Sequence, residues 1–110
     1  MSGKLKELES AENFQTEIAS GVVLVDFFAT WCRPCQMQVP ILTNIAAKLG
    51  NKVSILKIDT DKFGSLAQQF GVSSIPTLLV FKNGNIVERF TGLQQENTLA
   101  SVLGNHAATA

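Results

Sequence analysis

Trp31-Cys32-Arg33-Pro34-Cys35 contains both cysteines and the only tryptophan of this 110-residue chain. An apolar run from Val22 to Phe28 precedes it and is typical of a buried strand. A segment with helical periodicity follows it. Two thiols separated by two residues, at the junction of a strand and a helix, predict a redox site.

The spacing of the two cysteines predicts their geometry. If the helix begins near Cys32, residues three apart lie on one face about one turn apart, so both sulfurs reach disulfide distance. Cys32 then lies in the first turn, where free N–H groups and the helix dipole favour the attacking thiolate. Cys35 lies one turn deeper, and we expect it to be less exposed and to resolve the mixed disulfide. Pro34 suits a first turn, where its missing N–H has no helical partner.

Three other interpretations of the cysteine pair compete with redox chemistry. A structural disulfide closing so short a loop restrains the unfolded chain little. A zinc site needs about four ligands, which one cysteine pair and the distant His106 do not supply, so we predict no metal. Two inert buried thiols explain neither the proline between them nor the helix start. We favour redox chemistry over all three.

Composition indicates one soluble domain spanning residues 1–110, with a frayed tail at residues 107–110. Apolar residues make up 45% and charged residues 16%, as in globular proteins. The formal net charge is zero, and no basic cluster is present, so we expect neither nucleic acid nor a membrane surface as a partner.

The amino-terminal residues are polar, and no run is long enough to span a membrane. We therefore expect a cytoplasmic location. Structural disulfides are rare there, which again favours catalytic cysteines.

Periodicity and turn residues predict alternating strands and helices. Ser10 is a candidate N-cap, Asp59 and Asp61 are candidate caps of the third helix, and Asn83-Gly84 is a hairpin turn. We predict strands at Leu5–Leu8, Val22–Phe28, Val53–Ile58, Thr77–Lys82 and Ile86–Phe90. We predict helices from Ser10 to Ile18, Pro34 to Leu49, Phe63 to Phe70 and Gln95 to His106.

The second predicted helix has apolar residues spaced four apart, at Met37, Ile41, Ile45 and Leu49, which indicates a buried face. Pro40 lies inside this helix and should kink it. His106 at the end of the last helix is expected to be exposed.

Two charged residues interrupt predicted strands. Burial of Asp26 should raise its pKa by desolvation, which suits a general acid or base; the alternative is a carboxylate that merely accepts backbone hydrogen bonds. Lys57, by its position alone, is an edge or end residue that reaches solvent.

The run from Val25 to Cys35 resembles the active-site region of the thioredoxin family. The resemblance covers nearly the whole chain, and further matching positions are Pro40, Lys57-Ile58-Asp59, Ser74-Ile75-Pro76-Thr77, Phe81-Lys82-Asn83-Gly84 and Gly92. It implies an α/β thioredoxin fold, with a central five-stranded mixed β-sheet flanked by four α-helices.

The resemblance also implies roles for individual residues. Asp26 lies beneath the cysteines and exchanges a proton with Cys35 through water, and Lys57 tunes its charge. The Ile75–Pro76 peptide bond is cis, and the backbone of Ile75 pairs with an extended substrate segment. Substrate docks in a groove framed by Trp31, Arg33, Pro34, Ile75, Pro76 and Gly92.

The activity implied is dithiol–disulfide exchange that reduces disulfides in protein substrates, in a monomer that needs no bound cofactor. An NADPH-dependent flavoprotein thioredoxin reductase is the implied electron donor. Two alternatives remain: a more oxidising disulfide oxidase or isomerase, and a non-catalytic subunit that uses the groove for binding.

Arg33 departs from the family pattern, which commonly has glycine there. A cation beside Cys32 favours its thiolate, which makes the pair more oxidising, although solvent screens the effect. Arg33 also adds charge to the docking surface, so partners with acidic residues near their disulfide should bind more tightly. Phe28 replaces a frequent tryptophan, and Thr60, Ser74 and Thr91 make the rim more polar.

Overall fold

The computed structural model describes residues 4–108. Its strands are β1 Lys4–Glu7, β2 Val22–Phe28, β3 Val53–Asp59, β4 Thr77–Lys82 and β5 Asn85–Thr91. They form one sheet in the order β1-β3-β2-β4-β5. In this sheet β2 pairs parallel with β3 and antiparallel with β4, so the sheet is mixed, as predicted. The parallel pair joined by a helix is the predicted βαβ unit.

Four α-helices of the described chain cover the two faces of the sheet. They are α1 Phe14–Ile18, α2 Arg33–Leu49, α3 Gly64–Gln69 and α4 Glu96–Ala108, with 3-10 turns at Ala11–Asn13 and Gly50–Lys52. Side chains of α1 and α3 pack on one face, and those of α2 and α4 pack on the other. We call these the α1/α3 face and the α2/α4 face. No helix in residues 4–108 is long and apolar enough to cross a membrane.

β2 contributes side chains to both faces of the sheet, because successive side chains of a strand point to opposite sides. All seven of its residues are buried, which confirms a central strand. Val23, Val25 and Phe27 pack on the α1/α3 face. Val22 and Leu24 pack on the α2/α4 face, where Asp26 follows them in the alternation.

The predicted buried face of α2 was partly wrong. Met37 is exposed, whereas Gln38 is completely buried. The reason is geometric: a spacing of four residues drifts by about 40° per step around a helix of about 3.6 residues per turn. The side chains that are buried follow the mixed spacing of three and four, at Cys35, Gln38, Leu42, Ile45 and Ala46.

The prediction that Asp59 and Asp61 cap the third helix was wrong. α3 begins at Gly64 without a side-chain cap at Phe63. Instead, Asp59 Oδ1 accepts a hydrogen bond from the Asp61 N–H at 2.9 Å and closes a turn at the end of β3. The Asp61 carboxylate accepts from the Trp31 Nε1–H, so both carboxylates bond to donors outside the helix. Ser10, by contrast, is an N-cap and accepts from the Glu12 N–H.

The carboxyl-terminal helix is longer than predicted. It continues to Ala108, and Ala107 packs against the core, so the expected frayed tail is wrong for residues 107 and 108. Residues 109 and 110 lie outside the described part. His106 is half-buried rather than exposed, and its Nε2 lies 2.9 Å from Glu88 Oε2 on β5.

Candidate active site

The cysteine pair lies where β2 gives way to α2, as predicted. Cys32 is the N-cap of α2, with an extended backbone at φ −86° and ψ 114°, and Pro34 lies in the first turn. Cys32 and Cys35 form a disulfide with their Cα atoms 5.2 Å apart. Because the loop after β2 is short, the rigid strand and the helix together fix the position of both sulfurs.

Cys32 Sγ accepts a hydrogen bond from the Cys35 N–H at 3.3 Å. This donor is one of the N–H groups that a helix leaves unpaired in its first turn, so it stabilises negative charge on the sulfur. Cys32 is 5% exposed and Cys35 is 2% exposed. The order of exposure agrees with the prediction, but both residues are buried and the difference is small.

The two sulfur-bearing residues border different surfaces. Cys32 Sγ lies 3.8 Å from the carbonyl oxygen of Ile75, beside the Ile75–Pro76 segment. Cys35 instead lines a cleft of about 290 Å³ on the other side, and Cys32 does not line it. The remaining lining residues of this cleft are Glu7, Phe28, Ala29, Thr30, Gln36, Val39 and Lys57.

Asp26 is completely buried, and neither of its carboxyl oxygens has a hydrogen-bond partner among the described residues. The alternative in which it merely accepts backbone hydrogen bonds is therefore not supported. Burial raises the pKa of Asp26 from its ordinary value of 3.8 to about 7, while attraction to Lys57 acts in the opposite direction. Near neutral pH this carboxyl group is present in both protonation states.

Lys57 is the neighbour of Asp26 across the parallel pair of β2 and β3. It lies inside the sheet, not at an edge, since β3 is flanked by β1 and β2. Its side chain is half-buried and lines the cleft, with Nζ 4.2 Å from the centroid of the Phe28 ring. The expectation of an edge position was therefore wrong, although Lys57 does reach the cleft, and its charge acts to lower the pKa of Asp26.

The Ile75–Pro76 peptide bond is cis, as the resemblance implied. The Gly92 N–H donates to the Pro76 carbonyl at 2.8 Å, which brings the loop after β5 beside this segment. Gly92 has φ 88°, and a Cβ built there would meet nothing within 4 Å, so the surface above it is open. Arg33 and Pro34 are exposed on the neighbouring helix end.

Sequence reasoning missed two polar contacts at the site. Trp31 is 69% exposed, and its Nε1–H donates to Asp61 Oδ2 at 3.0 Å, which holds the ring in place. Gln38 bonds to the backbone of Gln94 from inside the core. Its position three residues after Cys35 on α2 was the available signal, because that spacing places both on one face.

With this geometry established, comparison with known proteins is decisive. The family model described as Thioredoxin matches residues 5–105. The chain belongs to the thioredoxin family. Members of this family that are named thioredoxin include one from Chlamydia muridarum, 51% identical over 100 residues, which cover 91% of this chain and 97% of that protein. Another, from Staphylococcus haemolyticus, is 50% identical over 94 residues, which cover 86% of this chain and 90% of that protein.

Solved thioredoxin structures share the fold. A mutant thioredoxin from Halobacterium salinarum superimposes with a TM-score of 0.83 at 34% identity, covering 96% of this chain and 91% of that one. The thioredoxin of Malassezia sympodialis gives a TM-score of 0.83 at 32% identity, over 96% and 92% of the two chains. Family membership and the disulfide-bonded cysteine pair make this protein a thiol–disulfide oxidoreductase, and neither the oxidase or isomerase alternative nor the non-catalytic subunit is favoured.

Proposed function

We propose that this protein reduces disulfides in other proteins, with Cys32 as the attacking thiolate and Cys35 as the resolving thiol. One observation carries the assignment: Cys32 borders the surface at the partly exposed Ile75, beside the buried Pro76, whereas Cys35 faces the cleft that contains Lys57. A protein substrate approaches from the first surface. A proton leaves from the second.

The exchange proceeds in two displacements. The Cys32 thiolate attacks one sulfur of the substrate disulfide, whose S–S bond breaks, and the other substrate sulfur leaves as a thiolate. The Cys35 thiol then loses its proton and attacks the Cys32 sulfur. This forms the Cys32–Cys35 disulfide and releases the second substrate sulfur. Two electrons pass from this protein to the substrate.

Asp26 is the group that we assign to the proton of Cys35. A carboxyl group with a pKa of about 7 gives and takes a proton at neutral pH with little cost in free energy. Asp26 lies on the same strand face as Phe28, which packs in one cluster with both cysteines. Water carries the proton between the two groups, and Lys57 keeps the pKa of Asp26 from rising further.

The docking groove is framed by Trp31, Arg33, Pro34, Ile75, Pro76 and Gly92. Ile75 precedes β4, and within residues 4–108 its N–H and carbonyl groups make no backbone hydrogen bond. They are therefore available to an extended substrate segment, which would add to the protein as a short strand. The exposed Arg33 guanidinium favours substrates with acidic residues near their disulfide.

In the cell we assign this protein, as a single-domain monomer, to cytoplasmic electron transport and redox homeostasis. The family resemblance supports an NADPH-dependent flavoprotein thioredoxin reductase as the donor that returns the disulfide to the dithiol. We expect the reductase to use the same groove, since it must reach the same sulfur that protein substrates reach.

A trapping experiment tests the assignment of the two cysteines. Cys35→Ser should accumulate a mixed disulfide when incubated, as the reduced protein, with insulin as a disulfide-containing probe, because the attacking thiol is present and the resolving thiol is absent. Cys32→Ser is the matched control and should trap at least about tenfold less, since Cys35 borders the cleft with Lys57 and not the Ile75 surface. Non-reducing electrophoresis and mass spectrometry measure the adduct. Equal trapping by the two variants would contradict the assignment.

A further inference from the structure

The side chain of Gln38 forms two hydrogen bonds with the main chain of one residue. Gln38 Nε2 donates to the Gln94 carbonyl at 3.0 Å, and Gln38 Oε1 accepts from the Gln94 N–H at 2.8 Å. Gln38 is completely buried. A buried amide is costly unless both its donor and its acceptor are paired, and here both pair with main-chain groups of the same residue, Gln94.

Gln94 belongs to the loop that separates β5 from α4, residues 92–95. This loop lies between a strand and a helix, and side-chain hydrogen bonds add to its few backbone ones in fixing where it lies. Gln94 Nε2 donates to the Gly92 carbonyl at 3.1 Å, and the Gly92 N–H donates to the Pro76 carbonyl at 2.8 Å. The position of Gly92 therefore depends on Gln94, and through it on Gln38.

These contacts close a ring around the proposed docking groove. Cys32 Sγ lies 3.8 Å from the Ile75 carbonyl, and Ile75 is bonded to Pro76. From Pro76 the hydrogen bonds lead through Gly92 and Gln94 to Gln38, which lies one turn after Cys35 on α2. The disulfide joins the two ends.

We infer that Gln38 is a positioning residue that holds the loop of residues 92–95 against α2 and so preorganises the groove for protein substrates. This inference rests on the groove proposed above. Among the described residues, both hydrogen bonds of the Gln38 side chain go to Gln94 and not to a sulfur, so we assign it to docking and not to the exchange between sulfurs. Preorganisation matters because the substrate segment pairs along its backbone with the groove. Ordering the loop of residues 92–95 only on binding would cost affinity.

Gln38→Leu tests the inference, because leucine is similar in size but leaves the Gln94 N–H and carbonyl unpaired. We expect KM for insulin to rise about tenfold with kcat little changed. The rate with a small aromatic disulfide, which does not need the groove, should stay within about twofold. Amide hydrogen exchange at Gln94 should accelerate.

Asn44→Ala is the matched control. Asn44 Nδ2 donates to Glu96 Oε1 at 3.1 Å, so it also ties α2 to the start of α4, but from an exposed position outside the ring. It should leave KM for insulin unchanged. If Gln38→Leu does not fold, Gln94→Ala is the second variant. It removes the side-chain hydrogen bonds from Gln94 to the Thr91 and Gly92 carbonyls and should raise KM for insulin by a smaller factor.

The outcomes separate the inference from the proposed function. A wild-type protein that does not reduce insulin overturns the proposed function itself. A wild-type protein that reduces insulin, with Gln38→Leu folded and its KM unchanged, overturns the inference alone. Equal losses with insulin and with the small disulfide also overturn it, because the effect would then lie at the sulfurs.

Discussion

The two faces of the central sheet come from alternate residues of the same strands, yet they differ in chemistry. On the α1/α3 face the core is apolar, with four packed rings at Phe14, Phe27, Phe70 and Phe81. The α2/α4 face also buries Asp26, Gln38 and the disulfide. Asp26 and Phe27 are adjacent in sequence and point to opposite faces. Buried polar groups cost stability, and the comparison indicates that the α2/α4 face holds the chemistry in addition to an apolar core of its own.

The largest expected effect on stability belongs to the α1/α3 face. Phe27→Ala removes a completely buried ring and should lower the free energy of unfolding by about 3–5 kcal/mol, while the reduction potential stays the same. Denaturant unfolding and a redox titration measure the two quantities. If that variant does not fold, Phe27→Leu should cost less, on the order of 1 kcal/mol. A shifted potential at full folding would contradict the division between the faces.

On the α2/α4 face, Asp26→Asn should change how stability depends on pH. Because the pKa of Asp26 is raised from 3.8 to about 7, the folded state holds more protons than the unfolded state between these values. Wild-type stability therefore loses the contribution of this group as pH rises from about 4 to 7. Asp26→Asn has no such loss. Its free energy of unfolding relative to the wild type should therefore rise by up to about 4 kcal/mol between pH 3 and pH 8.

Unfolding by denaturant at several pH values measures this difference, with pH 3 as the internal reference. A difference between variant and wild type that does not change with pH would contradict the raised pKa. The same variant should resolve the mixed disulfide more slowly at pH 7, because the proton of Cys35 loses its acceptor. Equal rates of resolution would remove Asp26 from the mechanism.

The smallest expected effect is that of Arg33, which is exposed beside Cys32 at the start of α2. Arg33→Gly should lower the reduction potential slightly, because the cation stabilises the thiolate of the reduced form. Added salt should shrink the difference, since exposed charges are screened. Titration against thiol–disulfide buffers at low and high salt measures both. An unchanged potential at low salt would leave Arg33 with a docking role alone.

Local patterns were enough to predict most of the architecture. An apolar run predicted β2, and Asn83-Gly84 predicted the hairpin between β4 and β5. The helix start at the cysteines followed from their spacing and from Pro34. In each case the signal lies within a few neighbouring residues, where propensity and periodicity act.

The contacts that were missed join residues far apart in the chain. Trp31 bonds to Asp61, thirty residues away, and Gln38 to Gln94, 56 residues away. His106 was expected at the surface but lies beside Glu88 on β5. Which side chains meet across such separations depends on how the helices pack against the sheet. Local periodicity carries no information about this packing.

An equilibrium redox titration of the Cys32–Cys35 pair tests the central claim, that the α2/α4 face holds a reversible dithiol–disulfide couple. The protein is equilibrated with thiol–disulfide buffers of known potential, and the reduced fraction is read after acid quenching and thiol labelling. We predict a single reversible transition with the slope of a two-electron couple, at a strongly reducing potential. A pair that stays oxidised or reduced across the whole range would contradict the account and leave only the fold.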